Sequence, residues 1–228
     1  MCEYMESTEW PDWFEKIWEY REEIIYPEFF GELGGIYALS GDIFMEMFGQ
    51  ETFDPRWPFY GVFVSPPSVK RNSWLYVTSG MSNPWDDDSP NPSSLSGLGC
   101  EFVFETVEKA DWAILHVQKI MAFEILLSCG RFQGRDTIGF YDRIPLRSSI
   151  KPGFDSAIRN VLICPPIGYP ATFKLESGEV ELMALVGITD DEAQYAREND
   201  GEKLVELLMR AGAFPITDPA RKSVISPE

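Results

Sequence analysis

Histidine is almost missing from this chain: His116 is the only one in 228 residues. A His-rich metal site and the H-E-x-x-H motif of metalloproteases are thereby excluded. Cysteine is scarce as well. Cys2, Cys100, Cys129 and Cys164 are scattered, with no C-x-x-C. They read as free thiols of a reducing compartment, with Cys100 and Cys164 in strand cores. No run of 18 apolar residues occurs, so no membrane-spanning helix is expected. The start, "MCEYMESTEWPDW", has neither the basic opening nor the apolar core of a signal peptide, and the expected location is the cytosol.

Basic residues are also in deficit. Against 37 acids stand 19 Lys and Arg, a net charge of −18. Such a surface repels nucleic-acid phosphates and anionic lipid, and it attracts basic partners. The acids are unevenly spread: residues 1 to 54 hold fourteen of them and only Lys16 and Arg21 as bases, a net of −12. That segment is either a solvated acidic face or a docking face for a cationic protein.

What is present is ordinary globular material, 44% hydrophobic and unusually aromatic at 14%. Trp10, Phe14, Ile17, Trp18 and Arg21 recur at helical spacing with acids between them, predicting an amphipathic first helix to about Ile25. "GELGG" breaks it, and a short helix follows near Gly41 to Phe48. Strands are expected at 59–64, 73–79 and 100–107. In the last, Cys100, Phe102 and Phe104 share one face, while Glu101, Val103 and Glu105 share a second face that reads as solvent-exposed. Residues 81–99 read as loop. Residues 110–129 form a long helix, apolar nearly all round and so largely buried against the sheet, with Gly130 as its stop. A strand at 160–166 and a hairpin at 172–185 follow, the hairpin turning at Ser177-Gly178 with Val180 and Leu182 inward. Thr189-Asp190-Asp191-Glu192 is a capping box opening a helix to about Asn199. A last helix points Leu204, Leu207 and Leu208 inward, and the tail has one strand at Ile216 or Val224. With no repeat and no linker, one α+β domain over 1–228 is expected, an acidic helical segment (1–54) leading a core (55–228).

Catalytic motifs are absent. "SGMS" (79–82) is not G-x-S-x-G, and Asn83-Pro84 stands where the helix of a nucleophile elbow would start. The glycines at 31, 34, 35 and at 130, 134, 139 match neither a P-loop nor a dinucleotide fingerprint. Cys129 lies too far along the helix from His116, about 20 Å, to pair with it; Cys100 and Cys164 stay open as partners of that histidine. The carboxylates Glu101/Glu105 and Glu179/Glu181 sit on faces read as exposed. No cofactor is implied. Trp85, beside the three acids Asp86, Asp87 and Asp88, is either an exposed anchor for a partner or a packing residue.

"WLYVTSGMS", "GLGCEFVFET", a long helix from "DWAIL" and "GEVELMALVGITDDEAQYARENDGEKLVELL" occur in an order and spacing that resemble the suppressor of fused (SUFU) family, over roughly residues 55 to 225. The resemblance implies a central, mostly antiparallel mixed sheet flanked by helices, and no catalysis. Animal members hold back a transcription factor of the Hedgehog pathway, gripping its extended peptide as an added strand between two domains. The second of those domains is not contained in this sequence, so half of that clamp is expected to be absent. Single-domain bacterial members have been proposed as immunity proteins against toxins of polymorphic toxin systems. On that resemblance Tyr76 matches a family tyrosine near the peptide. Asp86, Asp87 and Asp88 lie where the family places an acid that pairs with a cationic side chain. The expected function is therefore a non-catalytic binder of a basic protein partner, an immunity protein. The alternatives are a regulatory binder that sequesters a protein through an extended peptide and, from a different class, an enzyme.

Overall fold

The computed structural model describes residues 11–225. Trp10 and Cys2, named above, lie outside them. Among the described residues nine strands form one mixed sheet: β1 (Ile36–Ala38), β2 (Gly61–Ser65), β3 (Trp74–Ser79), β4 (Leu95–Thr106), β5 (Arg143–Pro145), β6 (Ile158–Cys164), β7 (Thr172–Leu175), β8 (Gly178–Thr189) and β9 (Ile216–Thr217). The order is β1-β2-β3-β4-β8-β6-β5, with β7 also on β8 and β9 also on β4. All pairs are antiparallel except β4–β8 and β4–β9. The expected α+β architecture is what the structure has.

Side chains alternate across a strand, and both faces of the sheet are covered. On one face Tyr76, Phe102, Phe104, Met183 and Leu185 pack against α3 (Asp111–Ser128). On the other, Leu75, Val77, Val103, Val180 and Leu182 meet Ile17, Ile25, Tyr26 and Phe30 of the N-terminal segment. Further along β8 on that same side, Ala184, Val186 and Ile188 meet Leu204 and Leu208 of the C-terminal helices α4 (Asp190–Glu198) and α5 (Gly201–Arg210). Leu207, expected inward, is only half-buried.

This two-sided cover corrects the reading of β4. Glu101 is 0% and Glu105 4% exposed, because the N-terminal segment lies over the face taken for solvent. That segment also runs further than its periodicity suggests. The helix α1 (Asp12–Glu19) passes through a wide π-helical turn (Tyr20–Ile25) into α2 (Tyr26–Phe30), across Pro27. Gly31, at φ 82°, ends it. Other boundaries shift for local reasons. β4 begins at Leu95, inside the expected loop, because Leu95 pairs with Glu179 of β8. The hairpin turns at Glu176-Ser177, since Leu175 already pairs with Gly178. β1, a three-residue edge strand, carries too few residues to show a period.

Candidate protein-binding surface

The site grows from Arg21, a basic residue on the apolar stripe of the first helical segment. It is 0% exposed. Its Nη1 donates to Ser82 Oγ (2.9 Å) and Asn83 Oδ1 (2.6 Å), and its Nη2 to Ser79 Oγ (2.6 Å) and Glu22 Oε1 (3.1 Å). Glu101 lies 3.9 Å away. The Glu101 carboxylate accepts from Gly80 N (3.1 Å), Ser82 N (2.9 Å), Ser82 Oγ (2.6 Å) and Thr78 Oγ1 (2.5 Å). A buried charge is tolerable only when paired and hydrogen-bonded, and here both ions are. The small polar residues of "TSGMSN" (78–83) are therefore neither a nucleophile loop nor an open turn: they line a buried ionic node.

The node fixes the loop that follows. Leu98 N donates to Met81 O (2.7 Å), bringing β4 back under the loop. Gly97, at φ 56°, makes this approach possible: a Cβ there would stand 2.4 Å from Asn83 O and 2.6 Å from Met81 O. Trp85 is half-buried, its ring 5.1 Å from Phe14, 5.8 Å from Phe59 and 6.0 Å from Tyr60. It is chiefly a packing residue that pins the loop to α1. Asp86, Asp87 and Asp88 then project into solvent. Asp86 is 88% exposed at its side chain and reaches only Arg56, at 3.4 Å, which is held more closely by Asp54 at 2.8 Å.

Tyr76 is elsewhere. It is 0% exposed, on the α3 face of β3, and its hydroxyl oxygen accepts from Ala110 N (2.7 Å) at the start of α3. It offers no surface here. The Phe14–Trp85 contact brings together two features the sequence keeps 71 residues apart, the acidic first helix and the acidic loop. Asp12, Glu15 and Glu19 of α1 are exposed, as are Asp86, Asp87 and Asp88 of the loop that Phe14 holds through Trp85. Sequence reasoning missed this juxtaposition; its signal was Arg21, a base among apolar positions.

The catalytic alternative has little geometry behind it. His116 is buried, its Nε2 donating to Ile150 O (2.8 Å), and burial lowers its pKa from 6.5. The thiols of Cys100 and Cys164 are pushed up by burial and stay protonated. Among the described residues no group of three His, Cys, Asp or Glu is placed to hold a metal. Clefts of about 200 and 280 Å³ open beside the sheet. Both are smaller than the roughly 300–1,000 Å³ usual for small-molecule sites. In the larger, Arg71 is spent on the carbonyls of Phe30, Pro66 and Ser73 and on Ser65 Oγ. No helix among the described residues is long and apolar enough to cross a membrane.

The profile of the family described as Suppressor of fused protein (SUFU) matches residues 57–222. The chain belongs to the suppressor of fused family. Solved structures share the family's fold with it. One is the crystal structure of Drosophila Suppressor of Fused, with a TM-score of 0.57 and 21% identity, covering 72% of this chain and 42% of that one. This chain thus spans less than half of the Drosophila chain. The Sufu–Fu complex gives a TM-score of 0.64 at 20% identity, over 94% of this chain and 93% of that one. A suppressor of fused homologue from Neisseria gonorrhoeae FA 1090 gives 0.60 at 15%, over 95% and 99%. No curated protein sequence matches significantly. The family profile begins at Trp57, so the acidic segment carrying Arg21 lies before it, although two of the structural matches cover nearly the whole chain.

Proposed function

We propose that this suppressor of fused family member is a non-catalytic protein-binding module of the cytosol. In this reading it is an immunity protein whose acidic face neutralises a basic toxin domain. The observation that carries the reading is the docking of the acidic helix α1 onto the loop that exposes Asp86, Asp87 and Asp88, through the Phe14–Trp85 contact and the buried Arg21 node. Asp86, Asp87 and Asp88 are its contact residues and Trp85 their anchor; Tyr76, buried on the α3 face, takes no part in the contact. Two further observations support it. A similar protein has been solved as the Sufu–Fu complex, and Cys100, Cys129 and Cys164 are free thiols, as suits a reducing compartment. A nuclease toxin is basic because it must approach phosphate. An acidic inhibitor is steered toward it, about 10–10³-fold faster at low salt, and then covers the site meant for substrate.

The test is a search beside its gene for a large toxin with a basic C-terminal domain, followed by co-expression of the two; absence of such a neighbour would count against the immunity reading. Wild type should restore growth, and the variant with Asp86, Asp87 and Asp88 all changed to Asn should associate more slowly, with a flatter salt dependence. No rescue by wild type would remove the immunity reading. Unchanged association kinetics in the variant would move the contact to α1. A second reading, sequestration of a protein through an extended peptide, is favoured by β1. Among the described residues this strand pairs with β2 alone, Ile36 and Tyr37 on it are exposed, and its outer side is met by one side chain, Gln118, whose Nε2 donates to Tyr37 O and Ala38 O; an edge of this kind accepts an added strand once that side chain is displaced. Retention of a partner by a short extended peptide alone would select it.

A further inference from the structure

A cleft of about 280 Å³ opens where the end of α2, the β2–β3 loop and the β6–β7 loop meet. Phe29 and Phe30 line it with Ile167 and Tyr169, and the Phe30 and Tyr169 rings meet edge to face at 5.2 Å. The β2–β3 loop adds Lys70 and Arg71. Both loops are basic in an acidic chain. Residues 65–73 and 164–174 hold Lys70, Arg71 and Lys174 and no acid, against 37 acids in the whole sequence. Arg71 is the telling member. It is half-buried, and its Nη atoms donate to the carbonyls of Phe30, Pro66 and Ser73 and to Ser65 Oγ, all of them neutral. These bonds leave its charge unanswered: neither Arg71 nor Lys70 pairs with a carboxylate of any described residue. The acid that lines the cleft, Glu105, is 4% exposed and is taken by Ser73 Oγ. Apolar surface continues past the slot. Ile167 is 38% exposed on one lip, and Val69, between the lining residues Ser68 and Lys70, is fully exposed on the other.

We propose that this cleft receives a segment of a protein partner in which a large apolar side chain is followed by a carboxylate. The apolar side chain would lie against Phe29, Tyr169 and Ile167. The carboxylate would meet the Lys70 ammonium, in the field of a guanidinium whose partial burial strengthens its pull. The slot has the volume of roughly nine waters, matched to one apolar side chain and one carboxylate. It is small for a free metabolite, while Val69 and Ile167 carry the apolar surface beyond it, where a continuing chain would run. The cleft is remote from the loop that carries Asp86–Asp88. Phe14, which holds that loop through Trp85, precedes Phe29 by 15 residues, about 20 Å of helix. The assignment thus goes beyond the reading of a basic partner and does not depend on it. It gives the molecule a second contact surface of opposite charge preference.

The experiment is an amide-resolved NMR titration of the full chain with a capped hexapeptide of glycine and serine that carries phenylalanine-glutamate at its centre. The same peptide with phenylalanine-glutamine, the same with alanine-glutamate, and free 3-phenylpropionate are titrated separately. The phenylalanine-glutamate peptide should move the amides of Lys70, Asn72, Gly168 and Ile216 saturably. The glutamine peptide should bind about two- to fivefold more weakly, the worth of an exposed ion pair. The alanine peptide should lose about tenfold or more, the worth of a buried aromatic side chain. Lys70→Gln, at an exposed position that folding tolerates, should weaken the glutamate peptide about two- to fivefold and shrink its advantage over the glutamine one. Equal binding of the glutamine or the alanine peptide, no saturable shift at these amides, or an unchanged affinity in Lys70→Gln would each overturn the assignment. Binding of 3-phenylpropionate as tight as that of the peptide would make the cleft a site for a free acid and overturn it too. The basic-partner reading fails separately, in the growth test.

Discussion

Removing the Arg21 guanidinium would leave Glu101 buried beneath the N-terminal segment without its cation. Deleting one partner of a buried pair costs about 3–5 kcal/mol, so Arg21→Met should lower the denaturant midpoint sharply. Adding Glu101→Gln should recover part of that loss. A double variant no more stable than the single one would show that the two charges are not coupled. His116 makes a different prediction. Its folded pKa lies below its ordinary value of 6.5, chiefly because burial disfavours the imidazolium. The unfolded chain therefore takes up its proton first as pH falls. Its contribution to stability is complete above about pH 6.5 and is lost as pH drops through the lowered folded value. Urea unfolding at a series of pH values should show His116→Gln with a shallower decline in that window than wild type. An equally steep decline would place the acid sensitivity in other groups. Glu101 and Glu105 show where reading single residues fails: alternation correctly split β4 into two faces, but it cannot say what covers either.

At the level of elements, the loop is only as well placed as the strands that bracket it. Gly97→Ala would put a methyl group against Asn83 O and Met81 O at a positive φ. The expected cost is about 1–3 kcal/mol, along with displacement of Asp86–Asp88. Association with the toxin domain should slow by more than the stability loss alone explains, measured where the variant stays fully folded. The C-terminal tail has its own brace. Glu192 closes the capping box of α4 and also holds Arg221 through two 2.7 Å bonds, with Val224 N at 2.8 Å. Arg221→Ala should destabilise by about 3 kcal/mol without changing partner kinetics, which separates a structural ion pair from a functional one. The capping box was legible because its partners sit three residues apart. The Arg221 bond was not, because its partners are 29 residues apart.

For the whole molecule, a net charge of −18 predicts that association with a basic partner falls steeply as salt screens it, over a Debye length of about 10 Å at 0.1 M. Stopped-flow association rates at increasing salt should decline while dissociation rates hold nearly constant; a salt-independent on-rate would remove steering from the mechanism. By itself the sequence determined the fold class, the family, most strands and helices and the excess of acid. Those follow from local periodicity, turn chemistry and composition, which act over a few residues. Tertiary structure alone decided that the N-terminal segment lies over the second sheet face. That packing buries Glu101 and Arg21 and docks α1 on the loop that carries Asp86–Asp88, while α3 on the first face buries Tyr76. Burial and counter-ion balance are sums over contacts between segments far apart in sequence, and no local pattern encodes such a sum.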